Sequence, residues 1–149
     1  MKTILFVCTG NSCRSPMAEA YFAARCRAAG RDDIRVGSAG LYAADGAPAS
    51  AQALTVMANR ALDLSRFHSR RLTAVLLAEA EWVVTMTRSH RAALLAAWPD
   101  CSGKVRTLLP NGDIPDPFGG SVACYEQCFL AMQPALDALF EQLTVSFST

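Results

Sequence analysis

The chain of 149 residues has little of what a metalloprotein, a membrane protein or a disulfide scaffold would need. Its two histidines, His68 and His90, stand apart, and its six cysteines (8, 13, 26, 101, 124 and 128) contain no Cys-x-x-Cys pair. That spacing argues against a zinc cluster. A formal net charge of +1 supplies no global field to recruit nucleic acid or an anionic membrane, so any anion site must be local. No apolar stretch approaches transmembrane length. Lys2 followed by Thr3–Val7 resembles the start of a signal peptide, but the run is too short and no small-residue cleavage site follows. A chain this long does not need disulfide staples, which makes a reducing, cytoplasmic location the expectation.

What remains is ample material for a core: 52% of the residues are hydrophobic and 18% charged. Residues 1–149 read as one domain, with no repeats, low-complexity tracts or linkers. Apolar, β-branched runs at Thr3–Val7, Ile34–Gly37, Trp82–Met86 and Val105–Leu109 predict strands. Between them, helical segments are expected at Pro16–Ala29, Ala47–Asn59, Leu72–Glu79 and His90–Trp98, with a final one at Ala123–Leu143. Continuous apolar strands alternating with helices predict an α/β fold, a parallel sheet covered on both faces. Phe129, Met132, Leu136, Leu139, Phe140 and Leu143 recur at spacings of three and four and mark the core face of the last helix. Pro134 either kinks that helix or starts a second segment.

The first loop carries the chemistry. Cys8-Thr9-Gly10-Asn11-Ser12-Cys13-Arg14-Ser15 ends a strand and leads into a helix that Pro16 is placed to begin. Backbone N–H groups of such a loop, with the positive end of the next helix, make an anion cradle. Gly10 permits close backbone approach, and Asn11 tolerates left-handed geometry while bonding to its own loop. Arg14 can fork onto two oxygens of a tetrahedral anion. Those donors would stabilise a Cys8 thiolate at the floor of the cup, an in-line nucleophile for phosphorus. Ser15 would donate to that sulfur when it leaves. With one glycine and no Gly-Lys-Ser/Thr, this is not a nucleotide-binding P-loop.

Late in the chain, Ile114-Pro115-Asp116-Pro117-Phe118-Gly119-Gly120 fixes a carboxyl group between two prolines. Asp116 could protonate a departing group and then activate water.

With both elements in place, the chain resembles the low-molecular-weight protein tyrosine phosphatases. Their pattern V-C-x-G-N-x-C-R-S-P-x-A-E reads here from Val7 to Glu19, and their late D-P is Asp116-Pro117. Ser38-Ala39-Gly40, the segment Asp63-Leu64-Ser65 to Arg70, and Val83–Thr87 also look like the family. The resemblance implies a four-stranded parallel sheet flanked by helices and a two-step mechanism using no metal or other cofactor. It makes Cys8 the nucleophile, Arg14 the clamp on the phosphoryl group and Asp116 the general acid and base. The loop from Thr9 through Gly10, Asn11, Ser12 and Cys13 to Ser15 would bind the phosphoryl oxygens. Cys13, which the family keeps in its loop, is either a small buried side chain or a thiol able to close a disulfide with Cys8 on oxidation. The expected partner is a phosphorylated protein, with the enzyme a monomer or weak dimer. Cys26, Cys101, Cys124 and Cys128 read as packing residues. His68 lies either near the loop's supporting hydrogen bonds or on the surface, and His90 on a solvated helix face.

Three substrates fit the resemblance. Phosphotyrosine in proteins leads. Phosphoarginine, the substrate of the bacterial protein arginine phosphatase branch, is close behind, because Asp116–Ser121 with Tyr125 beyond looks like that branch's acid loop. Ser12 stands where tyrosine-specific members carry Ile and arginine-specific ones Thr, and it decides neither. Thioredoxin-coupled arsenate reductases share the loop sequence Cys8–Ser15 but need two relay cysteines after the third strand, and Met86–Leu95 has none. Phe118 and Tyr42, with Leu41 the weaker choice, are the expected pocket walls, able to sandwich a phenyl ring or a guanidinium. A phosphate-binding module without activity would have no use for thiol, guanidinium and carboxylate together.

Overall fold

The computed structural model describes residues 1–147. At its centre lies β1 (Lys2–Cys8), whose Ile4 to Cys8 are all buried because alternate side chains face two different cores. Ile4, Phe6 and Cys8 join the larger core with Met17, Phe22, Phe129 and Met132; Leu5 and Val7 join the other with Leu72, Leu77 and Leu94. Both faces of the sheet are therefore covered, and the run has no polar alternation to show.

Strands β2 (Ile34–Gly40), β3 (Trp82–Thr85) and β4 (Val105–Thr107) complete a four-stranded sheet in the order β2-β1-β3-β4, every pair parallel. The expected α/β architecture is the one observed. Helices α1 (Arg14–Ala28), α2 (Ala51–Ala58) and α5 (Val122–Phe147) contribute to the larger core, while α3 (Ala74–Glu79) and α4 (Arg88–Ala97) contribute to the other. Since β2 and β3 leave β1 on opposite sides, the C-terminal end of β1 is the point where the strand order reverses. Open parallel sheets gather ligands there.

Element edges shifted for identifiable reasons. Helix α1 begins at Arg14, two residues before Pro16. A proline in the first turn loses nothing, because N–H groups there have no intrahelical partner. Helix α2 begins at Ala51, after Ser50 whose hydroxyl accepts from Ala53 N (3.3 Å). Thr73 caps α3 in the same way. Pro134 starts no second segment: α5 continues through it. Both Pro134 and Leu130 are exposed, so water can reach the carbonyl that the proline leaves unpaired. The six apolar positions assigned to the core face of α5 are all buried.

One glycine holds the two neighbouring strand ends together. A Cβ on Gly40 would lie 2.7 Å from Thr9 O, 2.8 Å from Ala43 Cβ and 2.9 Å from Asn11 N. Gly10, by contrast, would meet only Ser12 Oγ at 3.7 Å, an ordinary contact. Between β1 and β2 the close backbone approach is made at Gly40. Gly40→Ala must push the first loop away from β2, with an expected loss of ~1–3 kcal/mol of stability in urea unfolding and weaker phosphate binding; unchanged values in both would refute this packing.

Candidate active site

The first loop is held open from behind by one buried amide. Asn11 has φ 54°, the left-handed geometry expected of it, and its Nδ2 donates to Ser15 Oγ (2.8 Å) and Ser38 Oγ (2.9 Å). Its Oδ1 accepts from Arg70 N (2.9 Å), and Arg70 Nε donates to Ser38 O (3.0 Å). Ser38 in turn donates to Glu19 Oε1 (2.7 Å). Burial raises the Glu19 carboxyl pKa, while the Ser38 hydrogen bond and the Arg70 charge pull it down.

This network fixes a direction at the sulfur. Ser15 Oγ lies 2.8 Å from Cys8 Sγ and already accepts from Asn11. Its own proton is therefore free to point at Cys8, an arrangement that suits a thiolate. Cys8 and Cys13 are both free thiols. Cys13 Sγ sits 3.1 Å from the hydroxyl of Tyr125, a buried residue of α5. Burial, reinforced by the bond to Cys13, pushes the Tyr125 phenol up to about 12, so it remains a hydrogen-bond donor at neutral pH.

Arg14 is almost fully buried, and its guanidinium is held by fixed partners. Nη1 donates to Ile114 O (2.9 Å) and Nη2 to Thr9 Oγ1 (3.4 Å), with Asp116 Oδ2 3.6 Å from Nη2. Asp116 itself is half exposed, and its Oδ1 accepts from Phe118 N (3.0 Å). The segment carrying it is anchored where Ile114 N donates to Met86 O (2.9 Å), just beyond β3. Gly119 takes φ 83° to turn the chain toward α5, where Ser121 Oγ accepts from Cys124 N (3.2 Å).

Cys8, Thr9, Gly10, Ser12, Cys13, Arg14, Asp116 and Phe118 line one cavity of about 230 Å³. The sequence-predicted thiol, guanidinium and carboxyl groups thus share a wall. Asn11 and Ser15 stand behind it as supports. Phe118 forms the mouth, with 74% of its surface exposed. Tyr42 is tied by its backbone N to Thr9 O (3.0 Å), yet its side chain is 71% exposed and absent from the lining.

Two residues need a different reading. His90 is buried, not solvated: its Nε2 lies 2.7 Å from Thr9 Oγ1, and its backbone N donates to the Thr87 cap of α4 (3.0 Å). Strand order explains this, since β3 lies beside β1 and the first turn of α4 therefore faces the loop after β1. Cys124 is exposed rather than packed, while Cys26 and Cys128 are buried as expected, with burial pushing the Cys128 thiol up to about 12. His68 is exposed. Glu19 could have been found from its place four residues after Ser15, on one face of α1.

Burial, aided by the Arg14 charge, lowers the His90 imidazole from 6.5 to about 4, against smaller opposing effects of Asp116 and Asp113. Between those values the unfolded chain takes a proton that the folded chain refuses. The stability contributed by His90 is complete above its ordinary value and is lost as pH falls through the folded one. Urea unfolding should show His90→Gln losing less stability than wild type between pH 7 and 4.5, by on the order of 2 kcal/mol. Parallel pH profiles would disprove the assignment.

Comparison with known proteins gives this geometry a family. The model of the low molecular weight phosphotyrosine protein phosphatases matches residues 3–148. A protein-arginine-phosphatase of Bacillus subtilis is 36% identical over 145 residues, covering 94% of this chain and 95% of its own. The probable low molecular weight protein-tyrosine-phosphatase EpsP of Ralstonia nicotianae is 34% identical, with 93% of each chain covered. Among solved structures, the YwlE arginine phosphatase from Geobacillus stearothermophilus superposes with a TM-score of 0.91 at 33% identity, covering 98% of this chain and 95% of that one. With Cys8, Arg14 and Asp116 lining one cavity and a match over nearly its whole length, the chain belongs to the low-molecular-weight phosphotyrosine protein phosphatase family.

Proposed function

We propose that this phosphatase acts on phosphoarginine in proteins, through a phosphocysteine on Cys8. The observation that carries the chemistry is the single cavity lined by Cys8, Arg14 and Asp116. In the first step the Cys8 sulfur attacks phosphorus as the bond to the guanidino nitrogen breaks. The bonding pair goes to that nitrogen, which takes a proton from Asp116. Arg14 and the N–H groups of the loop from Thr9 to Ser15 meet the charge on the three equatorial oxygens. In the second step Asp116 accepts a proton from water as its oxygen attacks phosphorus. The P–S bond breaks, inorganic phosphate leaves, and the Ser15 proton stabilises the departing sulfur.

Several features support arginine over tyrosine, which the sequence alone put first. The Bacillus subtilis and Geobacillus stearothermophilus relatives are named as arginine phosphatases. Ser12, which lines the cavity and has its Oγ 3.5 Å from Cys13 Sγ, is polar where an apolar side chain would suit the flank of a phenyl ring. A guanidino nitrogen is a poor leaving group unless protonated, and the half-exposed Asp116 carboxyl stands at the mouth to supply that proton. Phosphotyrosine remains the second reading because Phe118 presents an exposed aromatic face and EpsP is a named tyrosine phosphatase relative.

Kinetics on matched phosphoarginine and phosphotyrosine peptides decide between them. Wild type should favour phosphoarginine in kcat/KM, Ser12→Thr should preserve that preference, and Ser12→Ile should move it toward phosphotyrosine. A wild-type preference for phosphotyrosine would overturn the arginine reading. Cys8→Ser should abolish turnover while still binding phosphate. Asp116→Ala should slow phosphoarginine hydrolysis by about 10²–10⁴-fold and an aryl phosphate with a good leaving group much less; equal slowing of both would remove Asp116 from the acid role.

A further inference from the structure

The Thr9–His90 pair lies at the rim of the cup and plays no part in the chemistry above. Thr9 Oγ1 has two nitrogen neighbours, Arg14 Nη2 at 3.4 Å and His90 Nε2 at 2.7 Å. The guanidinium can only donate. Thr9 therefore spends one lone pair on Arg14, and the direction of its bond to His90 depends on which imidazole nitrogen holds the proton.

The surroundings of the ring decide that. His90 Nδ1 is buried and has no hydrogen-bond partner. A proton there would leave a buried N–H unpaired, whereas a bare nitrogen leaves only an unused lone pair. Orphaned buried N–H groups are the rarer and costlier case. The proton therefore belongs on Nε2, which donates to Thr9 Oγ1. Burial and the nearby Arg14 charge keep the ring neutral, so it has a single N–H to give.

From this directionality we infer that His90 is a positioning residue that makes the Thr9 side chain a phosphoryl-oxygen donor. With both lone pairs taken by Arg14 and His90, the Thr9 hydroxyl proton has no acceptor among them. Thr9 is exposed and lines the same cavity as Cys8, so that proton is available to a tetrahedral anion in the cup. The loop then offers a side-chain hydroxyl in addition to its backbone N–H groups, and α4 helps to aim it. This rests on the anion-cup reading of the first loop, not on which phosphorylated residue the enzyme prefers.

Calorimetric titration with inorganic phosphate, which needs no turnover, provides the test. Thr9→Val should weaken phosphate binding about ten-fold, the size expected for one hydrogen bond to a charged group, while Thr9→Ser stays near wild type. His90→Leu should weaken binding in the Thr9 background but add nothing in the Thr9→Val background. His90→Gln, whose amide can still donate, should recover most of the loss. A merely structural role for His90 would cost the same factor in both backgrounds, and that result overturns the inference, as does wild-type affinity in Thr9→Val or failure of wild type to bind phosphate. The ¹⁵N shifts of His90 in the wild-type protein give an independent check: a protonated Nε2 is expected, and a protonated Nδ1 overturns it. Phosphate binding without hydrolysis of any phosphopeptide would instead count against the catalytic reading alone.

Discussion

Everything at this site depends on the buried side-chain amide of Asn11. One planar group bonds to Ser15 at the start of α1, to Ser38 near the end of β2, and to the backbone N of Arg70 before α3. A turn with φ near 54° is an unfavourable place for a residue with a Cβ, and asparagine tolerates it better than most. Asparagine also supplies donors and an acceptor from one head group. In a buried network of this kind, losing one member leaves several polar atoms unpaired, so its partners stand or fall together.

The sheet does the coarser work. Because β1 sits between β2 and β3, the loop after β1 receives supports from both sides: Gly40 and Ser38 from one, the first turn of α4 from the other. The segment with Asp116 reaches the same point through Ile114, which bonds to Met86 just beyond β3 and to the Arg14 guanidinium. Four separate stretches of sequence thus converge on one strand end.

Much of this was legible in the residues alone. The apolar runs gave all four strands, since a strand buried on both faces needs no polar alternation, and the Cys8–Ser15 loop announced an anion cup through its own composition. The Asp116 segment was legible because prolines restrict the backbone whatever surrounds them. What stayed hidden depends on which strand lies beside which. His90 looks like a surface residue until β3 is placed next to β1, and Gly40 looks incidental until the carbonyl of Thr9 is found against it. Tyr42 has its backbone at the site while its side chain is exposed.

The short strap bearing Asp116 has a further consequence. It is tethered at Ile114 by a backbone bond to Met86 and by the Arg14 guanidinium, closed by a Gly120 N to Pro117 O bond (2.8 Å), and followed at once by α5, whose Tyr125 reaches Cys13. A carboxyl group mounted this way shares a cavity wall with the Cys8 sulfur and is tied into the fold on both sides. A change in how α5 packs would therefore be felt at the mouth of the cup, through Tyr125 and the segment that precedes it.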